Sequence, residues 1–114
     1  MKIVDKPWGS EEWLVYGEGA RYACKFLIIK AGHRLSFQYH NVKHETMCLI
    51  EGKVKFTLEN EKGEIEEKIV LPGEYRIVEP GRRHRMEAIE DSRFFEVSTP
   101  DLDDVVRVED DYTR

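Results

Sequence analysis

The stretch "GHRLSFQYHNVKHETMCLIEG", Gly32 to Gly52, holds three of the four histidines in the chain. His33, Gln38, His40, His44 and Glu45 crowd together there, just ahead of the apolar run "TMCLI". As an extended segment, "RLSFQYH" puts Arg34, Ser36, Gln38 and His40 on one face and Leu35, Phe37 and Tyr39 on the other. On an open sheet the polar face meets water, whereas in a small ligand-binding barrel it lines the inside. Parity alone allows both, so the rest of the chain has to decide.

That rest reads as strands. "KVKFTLE" alternates Val54, Phe56 and Leu58 against Lys53, Lys55 and Thr57, the period-two pattern of a half-buried strand. Turn signals punctuate the chain at Glu51-Gly52, Glu61-Lys62-Gly63, Leu71-Pro72-Gly73 and Glu79-Pro80-Gly81. Gly52 fits a hairpin turn after "TMCLI". "YACKFLIIKAG" and "SRFFEVSTP" are further strands, and no segment carries a long helical stripe. The pattern predicts a single all-β domain over residues 1–114, a sandwich or barrel. Residues 1–22 form an N-terminal strand segment, and residues 101–114 an acidic tail. In that tail Val105, Val106 and Val108 favour a short strand or a docked end over disorder.

Composition narrows the partners. A net charge of -5 argues against a duplex or an anionic membrane surface. No apolar run approaches the ~20 residues of a membrane span, and the N-terminus lacks a signal-peptide core. Cys24 and Cys48 are isolated and read as free thiols, consistent with a cytoplasmic protein.

Two segments resemble the paired signatures of the cupin superfamily. In the first, Gly32 is followed after five residues by Gln38-Tyr39-His40, then by Glu45 and, six residues on, Gly52. In the second, Gly73 is followed by Glu79-Pro80-Gly81 and His84. Gln38 replaces the usual first His, and Glu79 a Pro. "KPWGSEEWLV", "GHRLSFQYH" and "VVRVEDDYTR" narrow the resemblance to the type II mannose-6-phosphate isomerase cupin, over Lys6 to Arg114. In that family the domain often ends a bifunctional enzyme with a sugar-nucleotide transferase, and Gln38 is the family residue. Local departures are Asn41-Val42-Lys43-His44, Thr46-Met47 and Thr113.

The resemblance implies a double-stranded β-helix, or jelly-roll barrel, with Gln38, His40, Glu45 and His84 as ligands of a divalent ion of the Zn, Mn, Fe or Co class. Two nitrogens and two oxygens suit such ions, and the neutral amide oxygen loosens selectivity. It further implies interconversion of mannose 6-phosphate and fructose 6-phosphate, in which a carboxylate or His moves a proton beside the carbonyl. Glu96 shares a face with Phe94 and Ser98 and is the candidate shuttle, because burial raises a carboxyl pKa. The competing reading makes Glu96 a structural partner of Arg34 or Arg85. Lys43 and His44 stand beside the ligands, His44 as a pocket-rim proton carrier or simply an exposed His. His33 has the opposite parity and faces away. Arg34, Lys43, Arg82, Arg83 and Arg114 are candidates for the phosphate. Other readings are a non-catalytic sugar- or metal-binding cupin, or a metal-dependent cupin acting on another small carbonyl compound. A barrel of about eight to ten strands leaves open edges, so a homodimer is expected, with the N-terminal segment as the covering strand.

Overall fold

The chain was analysed as a computed structural model that describes residues 1–112. Eleven strands, all paired antiparallel, form two sheets, and no described residue is helical. The larger sheet runs β1 (Lys2–Lys6), β2 (Gly9–Val15), β3 (Ala23–Ile29), β10 (Ser92–Ser98), β5 (Glu45–Glu51) and β8 (Tyr75–Val78) in spatial order. The smaller runs β11 (Val106–Glu109), β4 (Phe37–Tyr39), β9 (His84–Ala88), β6 (Val54–Glu59) and β7 (Ile65–Val70). The all-β jelly-roll expectation holds, and Val106 and Val108 of the acidic tail lie in a strand, β11, against β4. No helix among the described residues is long and apolar enough to cross a membrane.

Alternation drives the burial. β3 buries Ala23, Lys25, Leu27 and Ile29 and leaves the residues between them half-buried, the signature of one face turned inward. Leu27, Leu49 and Phe94 line up across β3, β5 and β10, and meet Val54, Phe56 and Met86 of the smaller sheet. Phe56 and Phe94 touch edge to face across the gap, with centroids 6.3 Å apart.

One turn differs in role from its sequence reading. β5 and β6 lie in different sheets, so Gly52 is a corner of the barrel and not a hairpin turn. It has φ 98°, and a Cβ there would sit 2.2 Å from Ser92 Oγ and 2.5 Å from the Asp91 carbonyl. Only glycine passes that corner. The turns at Gly73 and Gly81 also carry the chain from one sheet to the other, whereas Glu61-Lys62-Gly63 joins the paired strands β6 and β7. Corners of this kind close a barrel, and a residue pattern cannot tell them from hairpins.

The parity of "RLSFQYH" also breaks. Leu35 and Ser36 are both buried although they are neighbours. Only Phe37–Tyr39 is regular strand, while Arg34 and Leu35 bridge separately to Glu87 and Met86. Arg34 therefore leaves the interior. Its guanidinium makes a two-pronged ion pair with Asp111, with Nη2 3.0 Å from Oδ1.

Candidate metal centre

Gln38 of β4 stands directly opposite His84 of β9, His40 follows β4, and Glu45 opens β5 across the barrel. All four line one cavity of about 360 Å³. His40, Glu45 and His84 are buried, and their ligand atoms lie within 4.8 Å of one another. Glu45 Oε1 is 3.4 Å from His40 Nε2 and 3.1 Å from His84 Nε2.

The two imidazoles are oriented from behind. His40 Nδ1 donates to the Asp104 carbonyl, and His84 Nδ1 to the Arg82 carbonyl at 3.0 Å. A carbonyl only accepts, so Nδ1 carries a proton in each ring and Nε2 is the atom left to face the cavity. Both Nε2 atoms are buried without a hydrogen bond. Leaving a buried polar atom unsatisfied costs about 1–3 kcal/mol, and two such atoms aimed at one carboxylate fit a divalent cation. Gln38 Oε1 accepts from the Ser36 hydroxyl at 2.6 Å and keeps a second lone pair for the cavity.

Behind the ligands runs a line of buried charge. Lys43 Nζ sits 3.1 Å from Glu45 Oε2 and 3.3 Å from Glu96 Oε2. Lys25 Nζ lies 3.7 Å from the same Glu96 oxygen and 3.0 Å from Glu11 Oε1, which also accepts from Trp13 Nε1. The two central carboxyls are driven apart. Burial pushes Glu45 up, but His40, His84 and Lys43 outweigh it and hold its carboxyl well below the usual range. Burial and then the Glu45 charge raise Glu96, against the pull of Lys25 and Lys43. Burial opposes the charge on Lys43, yet Glu96 and Glu45 raise its pKa. For His40 burial works against the charged form, and the Glu45 carboxylate with the Asp104 carbonyl turns the net shift upward.

The structure thus brings Gln38, His40, Glu45, His84, Lys43 and Glu96 to one cavity, and leaves other candidates outside it. The partners of Glu96 are Lys25 and Lys43, not Arg34 or Arg85. Arg85 instead holds the Leu35 carbonyl through Nε at 2.8 Å. His44 is exposed, because Lys43 and Glu45 on either side of it point inward. Arg82 pairs with Glu79 and Arg83 with Glu59, both away from the cavity, and Arg114 falls outside the described residues. His33 meets the Tyr112 hydroxyl at 2.8 Å, outside the cavity.

Sequence reading missed Glu11, Lys25, Asp104 and Arg107. Asp104 looks like one more acid in an acidic tail. Its carboxylate accepts the backbone N–H groups of Asn41, Val42 and Lys43 at 3.0, 2.7 and 3.0 Å, and its carbonyl orients His40. One residue thus shapes the loop that carries His40, Lys43 and Glu45. The alternation of β3 could have flagged Lys25 as an inward charge, but nothing local marks Asp104.

Residues 1–110 match the family model for the mannose-6-phosphate isomerase C-terminal domain. The chain belongs to this family. Among curated proteins, the chain is 31% identical over 116 residues to a mannose-1-phosphate guanylyltransferase of Salmonella montevideo. It is 30% identical over 114 residues to mannose-1-phosphate guanylyltransferase 2 of Escherichia coli O157:H7. The matches cover 97% and 96% of this chain but 23% and 22% of those proteins, so the chain spans less than a quarter of their length. Solved structures share the fold. Oxalate decarboxylase of Bacillus subtilis superposes with a TM-score of 0.80 at 18% identity, over 94% of this chain and 30% of that one. KdgF of Halomonas sp. gives 0.74 at 16%, over 88% and 86%. The capsular polysaccharide assembling protein CapF of Staphylococcus aureus gives 0.75 at 20%, over 95% and 32%. One oxalate decarboxylase structure is described by its Mn(II) centres.

Proposed function

We propose that this domain is a divalent-metal-dependent aldose–ketose isomerase that interconverts mannose 6-phosphate and fructose 6-phosphate. The observation that carries the reading is the pair of buried, unsatisfied Nε2 atoms of His40 and His84 facing Glu45, with the raised carboxyl of Glu96 one lysine away. His40, His84, Glu45 and Gln38 would hold the ion. Bound there, an ion of the Zn, Mn, Fe or Co class supplies the positive charge that stabilises negative charge building on the sugar's C1 and C2 oxygens.

The chain's own groups do the remaining work. Glu96 takes the proton from C2 and returns it to C1, and its raised pKa suits a base working near neutrality. Lys43 fixes the Glu45 and Glu96 carboxylates relative to each other. The anionic end of the sugar is met by Arg107 and Lys6, one from an edge strand of each sheet. Arg107 stands opposite Gln38 on β11. The unpaired half-buried thiols of Cys24 and Cys48 support a cytoplasmic setting.

Glu96 is clasped between two ammonium groups, and this favours a second reading in which the cavity binds a sugar without turning it over. Incubating the metal-loaded protein with mannose 6-phosphate in D2O separates the two. Deuterium at C2 and formation of fructose 6-phosphate support isomerisation; saturable binding with neither supports the binding module.

A further inference from the structure

The cavity wall built by β2 and β3 carries two charges, Glu11 and Lys25, that belong neither to the ligand set nor to the proton shuttle. They are only 6% and 9% exposed. Lys25 is flanked in register by Trp13 on β2 and Glu96 on β10, so three strands converge on its ammonium. Its Nζ donates to Glu11 Oε1 at 3.0 Å, and Trp13 Nε1 donates to the same oxygen at 2.7 Å. Both bonds fall on Oε1, which leaves the lone pairs of Oε2 for a ligand. Burial pushes the Glu11 carboxyl up, but Lys25 and then Lys6 outweigh it, so the group is ionised near neutrality. A buried pair of this kind adds little stability, since apolar side chains of similar volume fill such a wall as well or better.

The contacts also give the pair a place. From the ligands outward the charges run Glu45, Lys43, Glu96, Lys25 and Glu11. Lys6 is the next cation acting on Glu11. With C1 and C2 of the sugar at the ion and its anionic end at Lys6 and Arg107, the pair stands beside the middle of the sugar. An anionic group there would be repelled by Glu11, and a cation by Lys25. A neutral hydroxyl suits both, because it accepts from the ammonium and donates to the carboxylate. Leu27, Leu35 and Met86 line the same cavity and offer apolar surface to the C–H bonds between hydroxyls.

We infer that Glu11 and Lys25 together form a hydroxyl-reading subsite that selects sugars with a free hydroxyl at C3 or C4. The inference rests on the proposed placement of the sugar between ion and cations, and not on its turnover. A sugar without that hydroxyl leaves two buried charges without their ligand partner. Sites built to hydrogen-bond a hydroxyl reject its absence far more strongly than an apolar pocket rejects a missing methylene.

Calorimetric titration of the metal-loaded chain with mannose 6-phosphate and with its 3-deoxy and 4-deoxy analogues tests the inference. Wild type should bind at least one deoxy analogue ~10–100-fold more weakly than the parent sugar. In Glu11→Gln/Lys25→Met, which removes both charges at nearly constant volume, the three sugars should bind alike, with bound metal unchanged. A pair with a purely structural role would lower the melting temperature of that variant and leave the affinity ratio where it was, which overturns the inference. So does a wild type that binds both deoxy analogues as tightly as mannose 6-phosphate, a comparison that needs no variant. Deuterium exchange at C2 in the same samples keeps the two readings apart. Turnover without discrimination overturns the hydroxyl subsite alone, and discrimination without turnover overturns the isomerase alone.

Discussion

Inside the barrel, four strands change character over a single inward step. On β10 Phe94 gives way to Glu96, on β3 Leu27 to Lys25, on β9 Met86 to His84, and on β5 Met47 to Glu45. The apolar positions form one end of the interior and the charged positions the other. Both ends are equally buried, yet only the apolar end is held by transfer from water. The charged end costs several kcal/mol per ion in desolvation, offset only where each carboxylate meets a cation. Stability and chemistry are therefore divided along the strands, not between them.

The division can be broken at the charged end first. His84→Ala and His40→Ala should each strip most of the bound ion in elemental analysis while far-UV spectra stay β-type. Equal metal content in wild type and both variants would end the ligand assignment. Glu96→Gln should keep the metal and slow C2 proton exchange by ~10²–10⁴-fold. If Glu96 only anchors Lys25 and Lys43, the variant would instead melt earlier and exchange normally per folded molecule.

At the apolar end the effects move to stability. Phe94→Ala removes the ring that meets Phe56, and urea unfolding should show a loss of about 3–5 kcal/mol, with metal stoichiometry kept. Asp104→Ala tests the join between loop and ligands. It leaves three backbone N–H groups without their acceptor and should weaken metal affinity by ~10–100-fold, as read by competition with a chelator. An unchanged affinity would show that the loop holds His40 and Glu45 unaided.

The smallest effect expected is on acid stability of the metal-free protein. The Glu45 carboxyl is lowered in the folded state, so the unfolded chain binds its proton first. Its stabilising contribution is complete above the ordinary carboxylate range and fades as pH falls through the lowered folded value. Melting temperatures taken from pH 6 down to 3 should fall more steeply for wild type than for Glu45→Gln. Parallel curves would mean that the line of lysines and carboxylates is not coupled to folding.

Much of this was legible from neighbours in the chain. Alternation marked the strands, the resemblance to the cupin signatures implied the jelly roll, and Gln38, His40, Glu45 and His84 do line one cavity. Such features rest on backbone geometry, which repeats every two residues and leaves a local trace. Arg34 failed where that premise failed, because only Phe37–Tyr39 kept the strand form. What tertiary structure alone decided is the company each charge keeps. Lys43 reaches Glu96 across 53 positions and Asp104 reaches Val42 across 62, over strands brought together by corners that look like turns. A buried charge draws its energy from the ions around it, and those come from both sheets at once. No window of sequence contains them, so the candidate ligands could be named from the chain, but the partners that surround them could not.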